Sequence, residues 1–408
     1  MNLAQEPSRR RVQYSSTAAG GEEVLAPVYR RPPVLFVGGQ GSWLEDEHGA
    51  RYLDMTSGIA VNALGHAPPE IVDTLRENAN GLIHVSNLYH TAPAIDLARA
   101  LIERSCAHQV FFANSGSEAN EAAIKFARLA GGQARRDIVY FEGSFHGRTF
   151  ASLSATDRPD YREPFEPLPG GFRRAPWNRS GDDLGLDVIG EQTAAVLLEP
   201  IQGEAGVRVP NESWLQAVRD RCDKVGAMLI FDEVQCGLGR TGSLFGYESF
   251  GVVPDIVTLA KPLAGGLPMG AVLLGERAAA AVRPGCHGTT FGGGPLVAKV
   301  ALKVLETVSR PLFLASVTAK GERLRNGLKE ALKLDEEKVR GRGLMIGIEV
   351  PDTAAYHSLA FEEHLLVVPA GQSTIRFLPP LNVTDAEIDS AVERFANVHA
   401  RYTQEANS

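Results

Sequence analysis

A lysine and an acid, each closing a short apolar run, are the first residues in this chain whose type and place could do chemistry. Met228–Phe231 runs into Asp232-Glu233-Val234-Gln235, and Ile256–Leu259 runs through Ala260 into Lys261-Pro262 and Gly265-Gly266. An acid ending a buried strand is costly to desolvate unless it meets a metal, a cationic ring nitrogen or a salt bridge. No His or Cys cluster supplies the rest of a metal site, so no metal is expected and the ring nitrogen gains weight. A lysine leaving an apolar strand is held near low dielectric, where its pKa falls and it becomes a usable nucleophile. Taken alone, it would equally suit a lysine snorkelling at a sheet end.

Two more strand ends join them. Gln109–Ala113 leads into Asn114-Ser115-Gly116-Ser117-Glu118, a glycine between hydroxyls at the start of a helical stretch. Free N–H groups and the helix dipole favour a phosphate there, although the same residues would also serve as an ordinary cap. Ile138–Phe141 leads to Phe145-His146-Gly147-Arg148, a ring that could stack a flat cofactor and a guanidinium fork suited to a carboxylate. A phosphate cup, a stacking ring, an acid for a ring nitrogen and a nucleophilic lysine together are what pyridoxal phosphate requires. Ligands bind at the carboxyl ends of the strands in open α/β sheets, which is where all four features fall.

The elements that must position them alternate. Helical stretches at 69–80, 94–104, 118–129 and 212–224 separate apolar strand-sized runs, predicting an α/β fold with a mostly parallel sheet covered on both faces. Short strands near 34–37, 42–44 and 51–54, punctuated by glycines, precede this region. After residue 300 come long helices (297–307, 314–332), a strand pair (344–350, 375–377) and a last helix at 385–402. We therefore expect a tail at 1–25, a small α+β domain from 26–65 and 301–408 sharing one sheet, and a large domain at 66–300. The tail contains Arg9-Arg10-Arg11 and little acid, a composition shared by frayed termini and by organelle-targeting peptides.

Among 408 residues, 41 Lys plus Arg against 49 Asp plus Glu give a net charge of −8, which argues against nucleic acid or an anionic membrane as partner. No run approaches the roughly 18 apolar residues of a membrane span. The four cysteines (Cys106, Cys222, Cys236, Cys286) form no CxxC pair and read as reduced thiols of an intracellular protein. A dinucleotide-binding fold fails for want of a G-x-G-x-x-G between a strand and a helix.

Ten segments then carry a resemblance covering roughly 27–400, among them SGIAVNALGH (57–66), FFANSGSEANEAAIKFAR (111–128), SFHGRT (144–149), LEPIQGEAGV (198–207), LIFDEVQCGLGRTG (229–242), PDIVTLAKPLAGGLPMGAVL (254–273), HGTTFGGGPL (287–296) and IRFLPPLNV (375–383). The chain resembles the class III aminotransferases of PLP fold type I, particularly the acetylornithine branch. The resemblance implies a large domain with a seven-stranded-type sheet, a smaller α+β domain from both chain ends, and a homodimer with shared active sites. It implies pyridoxal 5′-phosphate held by Gly116 and Ser117, with Thr290 reaching in from the partner subunit. Phe145 and Val234 would face the ring, Asp232 its nitrogen, and Gln235 its phenolic oxygen. Lys261 would bond the cofactor aldehyde and move the proton.

Arg148 and Thr289 would bind the acylated substrate and Arg376 the α-carboxylate of glutamate or 2-oxoglutarate, with Glu204 as a switch partner for Arg376. The implied reaction moves the δ-amino group between N-acetylornithine and 2-oxoglutarate within arginine biosynthesis. Ornithine, succinylornithine or another ω-amino acid are the alternatives. The residues 58–62 lack the tyrosine by which ornithine aminotransferases grip a free amino-acid head, which favours an acylated substrate. Ser117 where threonine is common, Pro262 after the lysine and Gly294 in place of a common asparagine depart from the family pattern. A cytoplasmic location is expected, with the mitochondrial matrix or plastid stroma as alternative if the tail is a targeting peptide.

Overall fold

The computed structural model describes residues 18–181 and 183–406; residues 1–17 of the expected tail lie outside them, and Ala18–Val24 is a short helix. Three strands open the chain: β1 (Phe36–Gln40), β2 (Trp43–Asp46) and β3 (Arg51–Asp54). Seven more build the large sheet: β4 (Gln109–Ala113), β5 (Asp137–Phe141), β6 (Phe172–Ala175), β7 (Thr193–Leu198), β8 (Met228–Asp232), β9 (Ile256–Leu259) and β10 (Gly270–Leu274). Their spatial order is β4-β10-β9-β8-β7-β5-β6. All pairings are parallel except those of β10, which runs antiparallel to both β4 and β9. Two reversals cancel, so β4 points the same way as β9. The carboxyl ends of β4, β5, β7, β8 and β9 therefore meet at one edge.

The sheet is sandwiched, as continuous apolar runs require. Ala195, Leu197, Ile230 and Ile256 face a cluster built around the Gly116–Gly131 helix, while Val196, Leu198, Leu229, Phe231 and Val257 face the main core. Side chains two apart share a face and both faces are buried, so an apolar run with no polar alternation is what this position in a sheet selects.

The C-terminal part contributes β11 (Val339–Arg342), β12 (Met345–Glu349), β13 (Leu365–Leu366), β14 (Val368–Ala370) and β15 (Thr374–Phe377). The expectation of one sheet shared with the N-terminal strands holds only for β13, which pairs in parallel with β3. The others form a separate antiparallel sheet, β11-β12-β15-β14, under the Pro311–Leu332 and Asp385–Ala406 helices. The reason is visible at Val367: the chain has just two residues of β13 before it turns into β14 and changes sheets. The short β6 and the antiparallel β10 were not anticipated either. Five apolar residues after a Pro/Gly loop carry no periodic signal that separates a strand from loop packing.

Candidate active site

The five converging strand ends wall a cavity of about 340 Å³ whose lining includes Gly116, Ser117, Phe145, Asp232, Val234, Gln235 and Lys261. Seven of the residues singled out in the sequence are thus brought to one place.

Its floor is a helix start. Ser115 caps the Gly116–Gly131 helix by accepting from Glu118 N–H (3.2 Å), and the Glu118 carboxylate turns back to accept from Asn114 N–H (2.6 Å). This variant of a capping box satisfies two donors and leaves the first-turn N–H groups of Gly116 and Ser117 without an intrahelical acceptor. A Cβ on Gly116 would lie 2.8 Å from a Val234 methyl, so only glycine lets Val234 close over the cup. Ser117 Oγ accepts from Arg148 N–H at 3.1 Å. Gly147 sits at φ 137, and a Cβ there would overlap the hydroxyls of Ser117 and Ser152. Gly147→Ala is accordingly expected to weaken cofactor retention by about tenfold or more, one decade being ~1.4 kcal/mol, measured as the dissociation constant of the cofactor by absorbance titration.

Asp232 is buried at the end of β8, and its setting answers why an acid is tolerated there. Oδ2 accepts from Asn120 Nδ2 (2.7 Å) and lies 2.8 Å from His146 Nδ1, while among the described residues Oδ1 takes only the Val234 N–H at 3.1 Å. Asn120 is itself pinned, donating to the His146 carbonyl and accepting from Thr258 Oγ1, each at 2.7 Å. One carboxylate oxygen is held and the other keeps acceptor capacity for a donor in the cavity. Neither Asn120 nor His146 was assigned a role from sequence. Asn120 stands one helical turn after Gly116, on the same face, and that spacing was the available signal.

Glu199, at the end of β7, was also overlooked, although it closes an apolar run just as Asp232 does. It accepts from Phe145 N–H at 3.2 Å. Burial, then the nearby Asp232 charge, pushes its carboxyl well above the usual range, which favours its neutral form.

Lys261 follows β9 at φ 30, a left-handed backbone that costs a non-glycine residue about 1–3 kcal/mol. Burial lowers its pKa, with the Arg376 charge acting the same way and Glu204 and Asp232 opposing. More of the amine is therefore neutral near pH 7 than for an exposed lysine.

Beside it, Arg376 in β15 is 0 % exposed. Its Nη1 donates to Gln235 Oε1 (2.7 Å) and its Nη2 lies 2.8 Å from Glu204 Oε1. That second contact is a charge contact set off the hydrogen-bond line, so Nη2 and Nε keep donor capacity. Burial alone would raise the Glu204 carboxyl, but the Arg376 and Lys261 charges outweigh it and hold the group below the ordinary carboxylate range. The remaining expected residues lie outside the cavity wall. Arg148 is exposed and stacks on Tyr161, 3.4 Å from the ring centroid. Thr289 meets Asn114 Nδ2 at 3.2 Å at the rim, and Thr290 is exposed on the same loop.

Residues 24–398 match the family model "Aminotransferase class-III". The chain belongs to the class III aminotransferases. This aminotransferase is 47 % identical over 407 residues to the acetylornithine aminotransferase of Xanthomonas axonopodis pv. citri, covering 95 % of this chain and 99 % of that one. It is 47 % identical over 387 residues to the mitochondrial acetylornithine aminotransferase of Alnus glutinosa, covering 92 % and 85 %.

Among solved structures it is similar to N-acetylornithine aminotransferase from Stenotrophomonas maltophilia (TM-score 0.80, 37 % identity, 92 % and 98 % covered). It is also similar to ornithine aminotransferase from Toxoplasma gondii (TM-score 0.89, 28 % identity, 95 % of each chain). The aminotransferase is an α/β protein of the PLP-dependent transferase fold, and its cofactor is pyridoxal 5′-phosphate. The cavity fits that group: a glycine cradle with free N–H donors for a phosphate, an acid with a free acceptor, and a buried lysine whose pKa burial lowers.

Proposed function

We propose that this aminotransferase moves the δ-amino group between N-acetylornithine and 2-oxoglutarate, giving N-acetylglutamate semialdehyde and glutamate. The Glu204–Arg376 pair beside Lys261 carries this reading. One pocket must accept glutamate, with a carboxylate next to the reacting carbon, and also a δ-amine with none there. An unpaired buried guanidinium is costly. Glu204 occupies Arg376 while the δ-amine is bound and yields it to the dicarboxylate. The names of relatives with near-complete coverage and the missing tyrosine in 58–62 support the acylated substrate.

Gly116 and Ser117 would hold the cofactor phosphate, Phe145 and Val234 its faces, Asp232 its ring nitrogen and Gln235 its phenolic oxygen. The bound cofactor supplies an electron sink for the carbon losing its proton. Lys261 Nζ takes that proton from the amine-bearing carbon and returns it on the cofactor side. Asn120 and His146 hold Asp232 in place, and Arg148 with Thr289 receives the acylated end.

The reading extends to a homodimer in which Thr290 completes the partner's phosphate site. Exposed Leu82, Ile83, Leu88, Tyr89 and Phe291 support it, because Asn87 ties their segment to the Thr289 and Gly292 carbonyls at 3.0 Å each. It also includes the division into a large domain at 66–300 and a small one at 26–65 and 301–408. A place in arginine biosynthesis belongs to it too, as does a cytoplasmic location, with an organelle as alternative. No helix among the described residues is long and apolar enough to cross a membrane.

The test is the cofactor's visible absorption in single half-reactions without keto acid, with N-acetylornithine, N-succinylornithine, ornithine and γ-aminobutyrate in parallel. Fast bleaching by N-acetylornithine and slow bleaching by ornithine is the expected result. Bleaching by ornithine alone would move the protein to the ornithine branch.

A further inference from the structure

The loop after β3 contains four consecutive residues in left-handed conformation: Ser57 (φ 45), Gly58 (φ 66), Ile59 (φ 62) and Ala60 (φ 65). Single glycines or asparagines visit this region routinely, whereas a run of it with three L-side chains, one of them β-branched, is strained. Strain of this kind persists only where surrounding structure over-determines it.

The over-determination comes from Asp54. It is buried, and its Oδ1 accepts from Thr56 N–H (2.8 Å), Thr56 Oγ1 (2.7 Å) and Ser57 N–H (2.9 Å), while Oδ2 meets His66 Nε2 at 2.8 Å. Burial alone would raise this carboxyl, but the hydrogen bonds from His66 and Thr56 bring it below its ordinary value. Aspartate thus binds both ends of the loop, residues 56–57 and residue 66.

The turn touches both halves of the site. It packs against the Lys261–Ala264 turn that carries the reactive amine. On its other side Ser57 Oγ donates to the Leu378 carbonyl (2.6 Å), and Leu378 N–H donates to the Met55 carbonyl (2.7 Å), two residues beyond Arg376. Val61, the next residue after the turn, lines the cavity.

We propose that the left-handed turn Ser57–Ala60 is a rigid spacer between Lys261 and Arg376, and that Asp54 is the positioning residue that holds it wound. The spacer sets how far the amine-bearing carbon stands from the carboxylate of a bound substrate. It rests on the aminotransferase reading above for the roles of Lys261 and Arg376, not on which acyl group is preferred.

The experiment compares Asp54→Ala, Ser57→Ala and the double variant Asp54→Ala/Ile59→Gly as cofactor-loaded enzymes. The readouts are KM and kcat for glutamate and for the best amine donor of the unmodified enzyme, the calorimetric Kd of the non-reacting dicarboxylate glutarate, and Tm. Misplacement of a bound group by about an ångström costs up to ~100-fold. We expect Asp54→Ala to raise KM for glutamate and Kd for glutarate by about tenfold, at similar cofactor content and with kcat changed less than about threefold.

Glycine at 59 removes the side-chain penalty of the left-handed turn, so the double variant recovers most of the loss. Ser57→Ala, which deletes only the hydrogen bond to the Leu378 carbonyl, shifts both constants in the same direction by less. Unchanged KM and Kd in a loaded variant would overturn the proposal, as would a loss that glycine at 59 leaves uncorrected. If Asp54→Ala does not fold, Ser57→Ala decides: no shift in KM or Kd refutes the spacer. Failure of the unmodified enzyme to accept N-acetylornithine would instead count against the substrate assignment and leave these ratios readable.

Discussion

Lys261→Ala is expected to cut turnover by about 10⁴-fold, the upper range for removal of a positioned acid–base group. The variant should keep pyridoxal phosphate in the cavity, because Gly116, Ser117, Asp232 and Val234 do not depend on the lysine, but should lose it on dialysis. Stopped-flow absorbance of the glutamate half-reaction measures the first effect and cofactor content after dialysis the second. A variant retaining more than about a hundredth of the rate would show that another group moves the proton. The pH dependence has a definite sign. A protonated amine cannot attack a carbonyl, so covalent trapping of Lys261 by the cofactor and borohydride rises with pH through the lysine's folded pKa. Burial lowers that pKa, so the trapping profile of Lys261 should lie at lower pH than that of exposed lysines. Coincident profiles for Lys261 and surface lysines would remove the argument for its activation.

Arg376→Ala is the second large effect. The guanidinium is 0 % exposed and would pair with the incoming carboxylate, so its loss should cost the glutamate half-reaction about 2–5 kcal/mol, or ~30-fold to ~5,000-fold in kcat/KM. The N-acetylornithine half-reaction, which on the proposed reading would leave Arg376 paired with Glu204, should fall by less than about tenfold. Adding Glu204→Gln should then change little, because the two act as one unit and their effects are not additive.

Stability should respond in a fixed direction as well. Glu204 is held below the ordinary carboxylate range, so its contribution is present at neutral pH and above. That contribution is lost as pH falls through the folded pKa. In Arg376→Ala this acid-side loss should shrink, which melting curves between neutral and acid pH would register.

Much of the site was legible because chemistry-bearing residues close strands. Asp232 and Lys261 end apolar runs and Gly116-Ser117 opens a helix; local sequence dictates each of these, since the period of a strand and the cap of a helix are written within a few residues. What no local pattern could supply is which of these ends are neighbours. β10, unforeseen, sits antiparallel between β4 and β9 and brings the phosphate cup alongside Lys261.

The same holds for the groups that make the acid usable. Asn120 and His146 reach Asp232 from a helix and from the β5 loop, and Thr258 locks Asn120 from β9. Arg376 meets Glu204 and Gln235 only because β15 belongs to a C-terminal sheet that abuts this edge. The left-handed turn at Ser57–Ala60 was invisible for a different reason: serine, isoleucine and alanine carry no preference for positive φ, so its conformation is imposed by Asp54, His66 and Leu378. The sequence by itself determined which side chains could do this chemistry and the elements that bear them. Tertiary structure decided their partners, because hydrogen bonds and charge pairs between distant segments depend on strand order and sheet crossing, which short-range periodicity does not encode.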